Sequence, residues 1–93
     1  MGLNAVIRRA DGKPLGRVEQ VKAQLEEVFP GASFAFEPTN RRSGAFIRDG
    51  LAIEFYLGSE SIVQEIQICI YGELNKAQFY FDKLADWQIE FPR

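Results

Sequence analysis

The chain has 93 residues, 46% of them hydrophobic and 13% aromatic, with a formal charge of −2 and an isoelectric point near 5.1. That length fits one small domain, residues 1–93, and the apolar share argues against disorder. With no histidine and one cysteine, the sequence excludes Ser–His and Cys–His nucleophile pairs, an internal disulfide and an ordinary zinc ligand set.

The first segment, LNAVIRR from Leu3 to Arg9, alternates Leu3, Ala5 and Ile7 with Asn4, Val6 and Arg8, which predicts a strand. Asp11-Gly12 marks a turn. Residues 14–31, PLGRVEQVKAQLEEVFPG, place Leu15, Val18, Val21, Leu25 and Val28 at three- and four-residue steps, the stripe of an amphipathic helix. Pro14 suits the first turn and Pro30-Gly31 the end. Gly16 as the N-cap would start the helix two residues later.

Residues 32–37, ASFAFE, read as a short strand, and Pro38 bars its continuation in a sheet centre. Residues 38–50 read as a polar loop in which Ala45-Phe46-Ile47 forms a brief strand or an apolar anchor. Residues 51–58, LAIEFYLG, put Leu51, Ile53, Phe55 and Leu57 on one face and Ala52, Glu54 and Tyr56 on the other. Residues 62–72, IVQEIQICIYG, put Ile62, Ile66, Ile68 and Ile70 on one face, with Gln64 the exception. Joined by Gly58–Ser61, these two strands predict an antiparallel hairpin at the sheet centre, with one oily and one polar face. Residues 75–87 predict a second helix with Asn75 as N-cap, although the run Phe79-Tyr80-Phe81 also suits a strand. WQIEF, residues 87–91, alternates like a last strand.

The expected fold is therefore α+β, a two-layer sandwich of a mostly antiparallel sheet with two helices on one face, in the order β-α-β-β-β-α-β. In size and layout this resembles small bacterial immunity proteins that mask a toxin, a likeness of shape alone.

Two surfaces carry candidate chemistry. Glu54, Tyr56, Glu65, Gln67 and Tyr71, with Cys69 and Glu90 beside them, form a polar, tyrosine-bearing sheet face suited to a basic or apolar protein partner. Its plainer reading is a solvent face held by cross-strand pairs. Arg41, Arg42 and Arg48 form the alternative site, a loop gripping a small anion through guanidinium forks. The plainer reading there, a solvated connection, is preferred. The spacing of a Walker loop is missing.

Cys69 lacks a cationic neighbour in sequence and reads as an inert packing residue. Phe79, Tyr80, Phe81 and Trp87 read as core, and a helix exposing Phe79 while burying Tyr80 and Phe81 would present an oligomer contact. Nucleic acid is disfavoured because Glu54 and Glu65 would repel phosphates beside the tyrosines.

No apolar run reaches the roughly 18–20 residues of a membrane span, and the N-terminal residues lack a signal-peptide core, so a cytoplasmic protein is expected. No metal or other cofactor is expected. The reading that results is a non-catalytic protein-interaction module that binds a partner protein or itself. The alternative is a small-molecule or anion-binding domain built on the 38–50 arginine loop.

Overall fold

A computed structural model describes residues 2–36, 42–84 and 86–91, with the side chain of Phe36 outside that description. The elements run β1 (Leu3–Arg9), β2 (Gly16–Arg17), α1 (Val18–Val28), β3 (Ser33–Phe36), β4 (Arg42–Arg48), β5 (Leu51–Gly58), β6 (Ile62–Val63), β7 (Ile66–Tyr71), α2 (Leu74–Phe81) and β8 (Trp87–Glu90). Six strands form one sheet in the order β3-β4-β5-β7-β1-β8, and every neighbouring pair is antiparallel. Among the described residues the fold is thus α+β with two helices, as expected, but the element order differs: five described strands separate the helices instead of three, and β2 precedes α1.

The centre of the sheet is the β5–β7 pair, as the alternation of the two segments predicts. Ile53 faces Ile70 and Phe55 faces Ile68, while Ala5 and Ile7 of β1 continue the rows against Ile68 and Ile66. These side chains are all buried. Removing one such large side chain from water contributes about 1.5–3 kcal/mol. Val18, Val21, Leu25 and Val28 of α1, with Ala77 and Phe81 of α2, complete the same core cluster.

The hub of that core is Phe29, just past the end of α1. Its ring meets Phe46, Phe55 and Phe81 edge-on and stacks on Tyr80 at 5.4 Å. Aromatic pairs in such geometries contribute about 0.5–1.5 kcal/mol each beyond area burial.

Three local departures have physical causes. First, α1 begins at Val18, because Gly16-Arg17 pair with Ile62-Val63 as a small separate sheet. The Leu15 N–H donates to the Val63 carbonyl at 2.8 Å and the Val18 N–H to the Ser61 carbonyl at 3.0 Å. The Gln20 side-chain oxygen accepts from the Arg17 N–H at 3.3 Å, so the helix entrance is satisfied from both sides. Second, the same pairing splits the segment 62–72. Val63 turns inward and Ile62 outward, 41% exposed, and the chain steps through Gln64-Glu65 before β7 resumes the central register. Ile62 therefore does not join the inward row with Ile66.

Third, most of the 38–50 segment is strand, not loop. β4 pairs with β5 along its whole length and closes through Asp49-Gly50. Both turn residues have positive φ, 51° and 79°, the conformation of a two-residue hairpin turn that an Asp-Gly pair favours. In α2, Glu73 and not Asn75 occupies the N-cap, and the helix ends at Phe81 as the chain tightens through Asp82–Leu84.

Candidate functional site

Side chains that point away from the core build a second face on the same strands. The registers align them in rows. One row runs Glu90, Val6, Gln67, Tyr56, Ser43 and Ala35. The next runs Asn4, Cys69, Glu54, Ala45 and Ser33, and a third carries Tyr71, Ala52 and Ile47. Glu54, Tyr56, Gln67 and Tyr71 therefore lie together on the two central strands, as their alternation predicts. Tyr56 and Tyr71 are 42% and 39% exposed, enough to offer ring area while their flanks pack on the sheet.

Electrostatics divide this face in two. At the β1 side, the Arg8 guanidinium donates to Glu90 at 3.1 Å and to Glu65 at 3.3 Å. Both pairs are exposed, so each contributes at most about 1 kcal/mol. One guanidinium set against two carboxylates leaves this trio with a net charge of −1, with Glu65 sitting just ahead of β7. Glu54 makes no ion pair among the described residues and is the uncompensated carboxylate at the centre of the face. Beside it, a hydrogen bond with the Cys69 side chain, reinforced by charge on Cys69 and Glu54, pushes the Tyr71 phenol up to about 12. Cys69 is half-buried between Asn4 and Glu54.

Across β3–β5 the outward positions are small. Ser33, Ala35, Ser43, Ala45 and Ala52 floor a shallow depression of about 490 Å³. Ile47 at its margin is 79% exposed, the largest exposure of any big apolar side chain described. Small residues in the middle of a sheet leave the surface concave, and the neighbouring tyrosines and Ile47 rise around it. The sequence does not announce this depression, because Ser43 and Ala45 fall in a segment, 38–50, whose polar composition predicts a loop. The signal that locates β4 is the Asp-Gly turn that follows it.

The arginines do not gather. Arg42 and Arg48 stand at opposite ends of β4, six residues or about 20 Å apart at the strand rise of ~3.3 Å per residue. The Arg42 guanidinium donates to the Glu60 carbonyl, while Arg48 sits by the β4–β5 turn. Arg41 lies outside the described residues. Among the described residues no group of His, Cys, Asp or Glu is placed to hold a metal ion, and no helix is long and apolar enough to cross a membrane.

The face thus combines a shallow hollow of small side chains, two exposed tyrosines and the Glu54 carboxylate, a set that offers area and charge for binding. Comparison of the chain with family models, with curated proteins and with solved structures returns no significant match.

Proposed function

We propose that this chain is a non-catalytic protein-interaction module that docks its partner on the outward sheet face. The observation that carries the reading is the contrast between the two sides of the sheet. One side shares a buried core with both helices, and the other exposes Tyr56, Tyr71, Glu54 and Ile47 around a hollow of small side chains. That contrast also supports a two-layer arrangement, helices on one layer and sheet on the other, with the second sheet surface left for a partner. Tyrosine brings large contact area at low cost in side-chain entropy, which is why it recurs at binding hot spots.

The charge pattern selects the partner. With Glu65 and Glu90 sharing the single charge of Arg8, and Glu54 making no ion pair among the described residues, the face is net acidic, so a partner presenting Lys or Arg beside small apolar side chains fits best. Two copies of this chain face to face would oppose their acidic centres, which favours a different, basic protein over self-association. The setting we propose is cytoplasmic, since the face needs no disulfide and the lone thiol sits on it. The test is comparative affinity capture with the wild type and the Tyr56→Ser/Tyr71→Ser double variant. A protein retained by the first and lost by the second supports the assignment, and identical retention of every captured protein rejects it.

A further inference from the structure

A second surface lies where the β4–β5 turn meets α2. Arg48, Asp49, Leu51, Lys76, Phe79 and Tyr80 line a depression of about 250 Å³. Leu51 is buried beneath it, and Tyr80 is fixed from below by stacking on Phe29 and by an edge contact to Phe46 at 4.9 Å. Phe79 stands edge-on to Tyr80 at 5.2 Å and is 60% exposed. The aromatic column that begins in the core thus surfaces here.

The rim is cationic in an acidic chain. Lys76 Nζ donates to the Asp49 carbonyl at 2.9 Å, which pins the ammonium at the rim with two N–H groups still available. Arg48 makes no ion pair among the described residues. Lys83 Nζ lies 4.3 Å from the Phe79 ring centroid. Asp49 is the one carboxylate among the lining residues.

We propose that this depression binds a small molecule carrying one aromatic ring and one anionic group, an aryl phosphate or aryl carboxylate. The ring packs on Phe79 and Tyr80, and the anion takes charge-assisted hydrogen bonds from Arg48 and Lys76. The volume decides the size class. Pockets for drug-sized ligands run to about 300–1,000 Å³, so this one suits a single ring. The charge decides between a ligand and a second copy on Phe79, because symmetric pairing would oppose Arg48, Lys76 and Lys83 of one molecule to those of the other.

The experiment is an amide NMR titration of the full chain with phenyl phosphate, benzoate, inorganic phosphate and phenol. Saturable shifts confined to residues 48–51 and 74–83, with phenyl phosphate or benzoate binding at least about tenfold tighter than inorganic phosphate or phenol, are expected. Whichever of the two binds tighter identifies the anionic group. Phe79→Ala and, separately, Arg48→Gln/Lys76→Gln each weaken that binding about tenfold or more, with the remaining spectrum intact as the control for folding. The proposal is overturned by no saturable shift, by equal affinity for inorganic phosphate, by shifts elsewhere, or by variants that bind as the wild type does. Concentration-dependent shifts at Phe79 without ligand would assign the patch to self-association instead.

Discussion

Gly44 sits on the inward row of β4 opposite Phe34 of β3, and the Phe34 ring lies across the space a side chain would fill. A Cβ there would stand 2.5 Å from Phe34 Cε1, closer still to Cδ1, and 2.9 Å from the Ser33 carbonyl oxygen. The ring alone cannot relieve this, because the backbone oxygen is also too close. Gly44→Ala must therefore push β3 away from β4. Overpacking of this kind costs about 1–3 kcal/mol. The lower backbone entropy of the unfolded alanine chain returns about 0.4–1 kcal/mol. The midpoints of these ranges leave a net loss of about 1 kcal/mol, which for a domain of this size lowers Tm by about 4–8 °C.

Thermal unfolding followed by circular dichroism measures it, and a double-mutant cycle isolates the cause. In a Phe34→Ala background the ring clash is gone and the Ser33 carbonyl contact at 2.9 Å remains, so Gly44→Ala costs less than in the wild type, with a coupling of about 0.5 kcal/mol or more between the two sites. A Gly44→Ala protein as stable as the wild type would refute the register and packing described for the β3 edge. β3 supplies Ser33 and Ala35 to the hollow, so on the proposed docking role its displacement should also weaken capture of a partner.

Two further outcomes follow from the core and from the outward face. Phe29→Ala, which empties the aromatic hub, lowers stability by about 3–5 kcal/mol in denaturant titration, and a loss under 1 kcal/mol would contradict the packing of Phe29 against four rings. The Tyr71 phenol, raised from 10.0 to about 12 chiefly by its hydrogen bond with Cys69, holds its proton more tightly in the folded chain than in the unfolded one. The stability it contributes is thus intact below pH 10 and lost as the pH rises towards 12. Cys69→Ala should move the phenolate absorbance transition of Tyr71 back towards 10, and an unchanged transition would show that Cys69 is not its cause.

What the sequence reveals depends on how cleanly a period survives. β5 and β7 are legible because large inward side chains alternate with polar ones without interruption, and the face that carries Glu54, Tyr56, Gln67 and Tyr71 follows from that alternation. β4 is obscured because its inward row holds Gly44 where Phe34 covers the gap, so RSGAFIR keeps Phe46 alone as its buried side chain. The Asp-Gly pair between AFIR and LAIE is the hairpin signal that separates strand from loop there. The split of 62–72 into β6 and β7 depends on a partner far away in sequence, Gly16-Arg17, and its local trace is the break in alternation at Gln64. Phe29 follows Leu25 by four residues and so continues the helical stripe by one step beyond Val28, its N–H still donating to the Leu25 carbonyl at 2.8 Å. Nearness in sequence groups Arg42 and Arg48 into one site, whereas the strand that runs between them holds them apart.

The central claim is that Tyr56, Tyr71 and Glu54 form the heart of a binding face for a basic protein. Calorimetric titration of a purified captured partner against the wild type and the Tyr56→Ser/Tyr71→Ser variant, at low and high salt, tests it most directly. Loss of two central tyrosines should weaken binding by about 2 kcal/mol or more, roughly thirtyfold, and wild-type affinity should fall as salt rises. An affinity unchanged within twofold by the double substitution, with no salt dependence, would contradict the account.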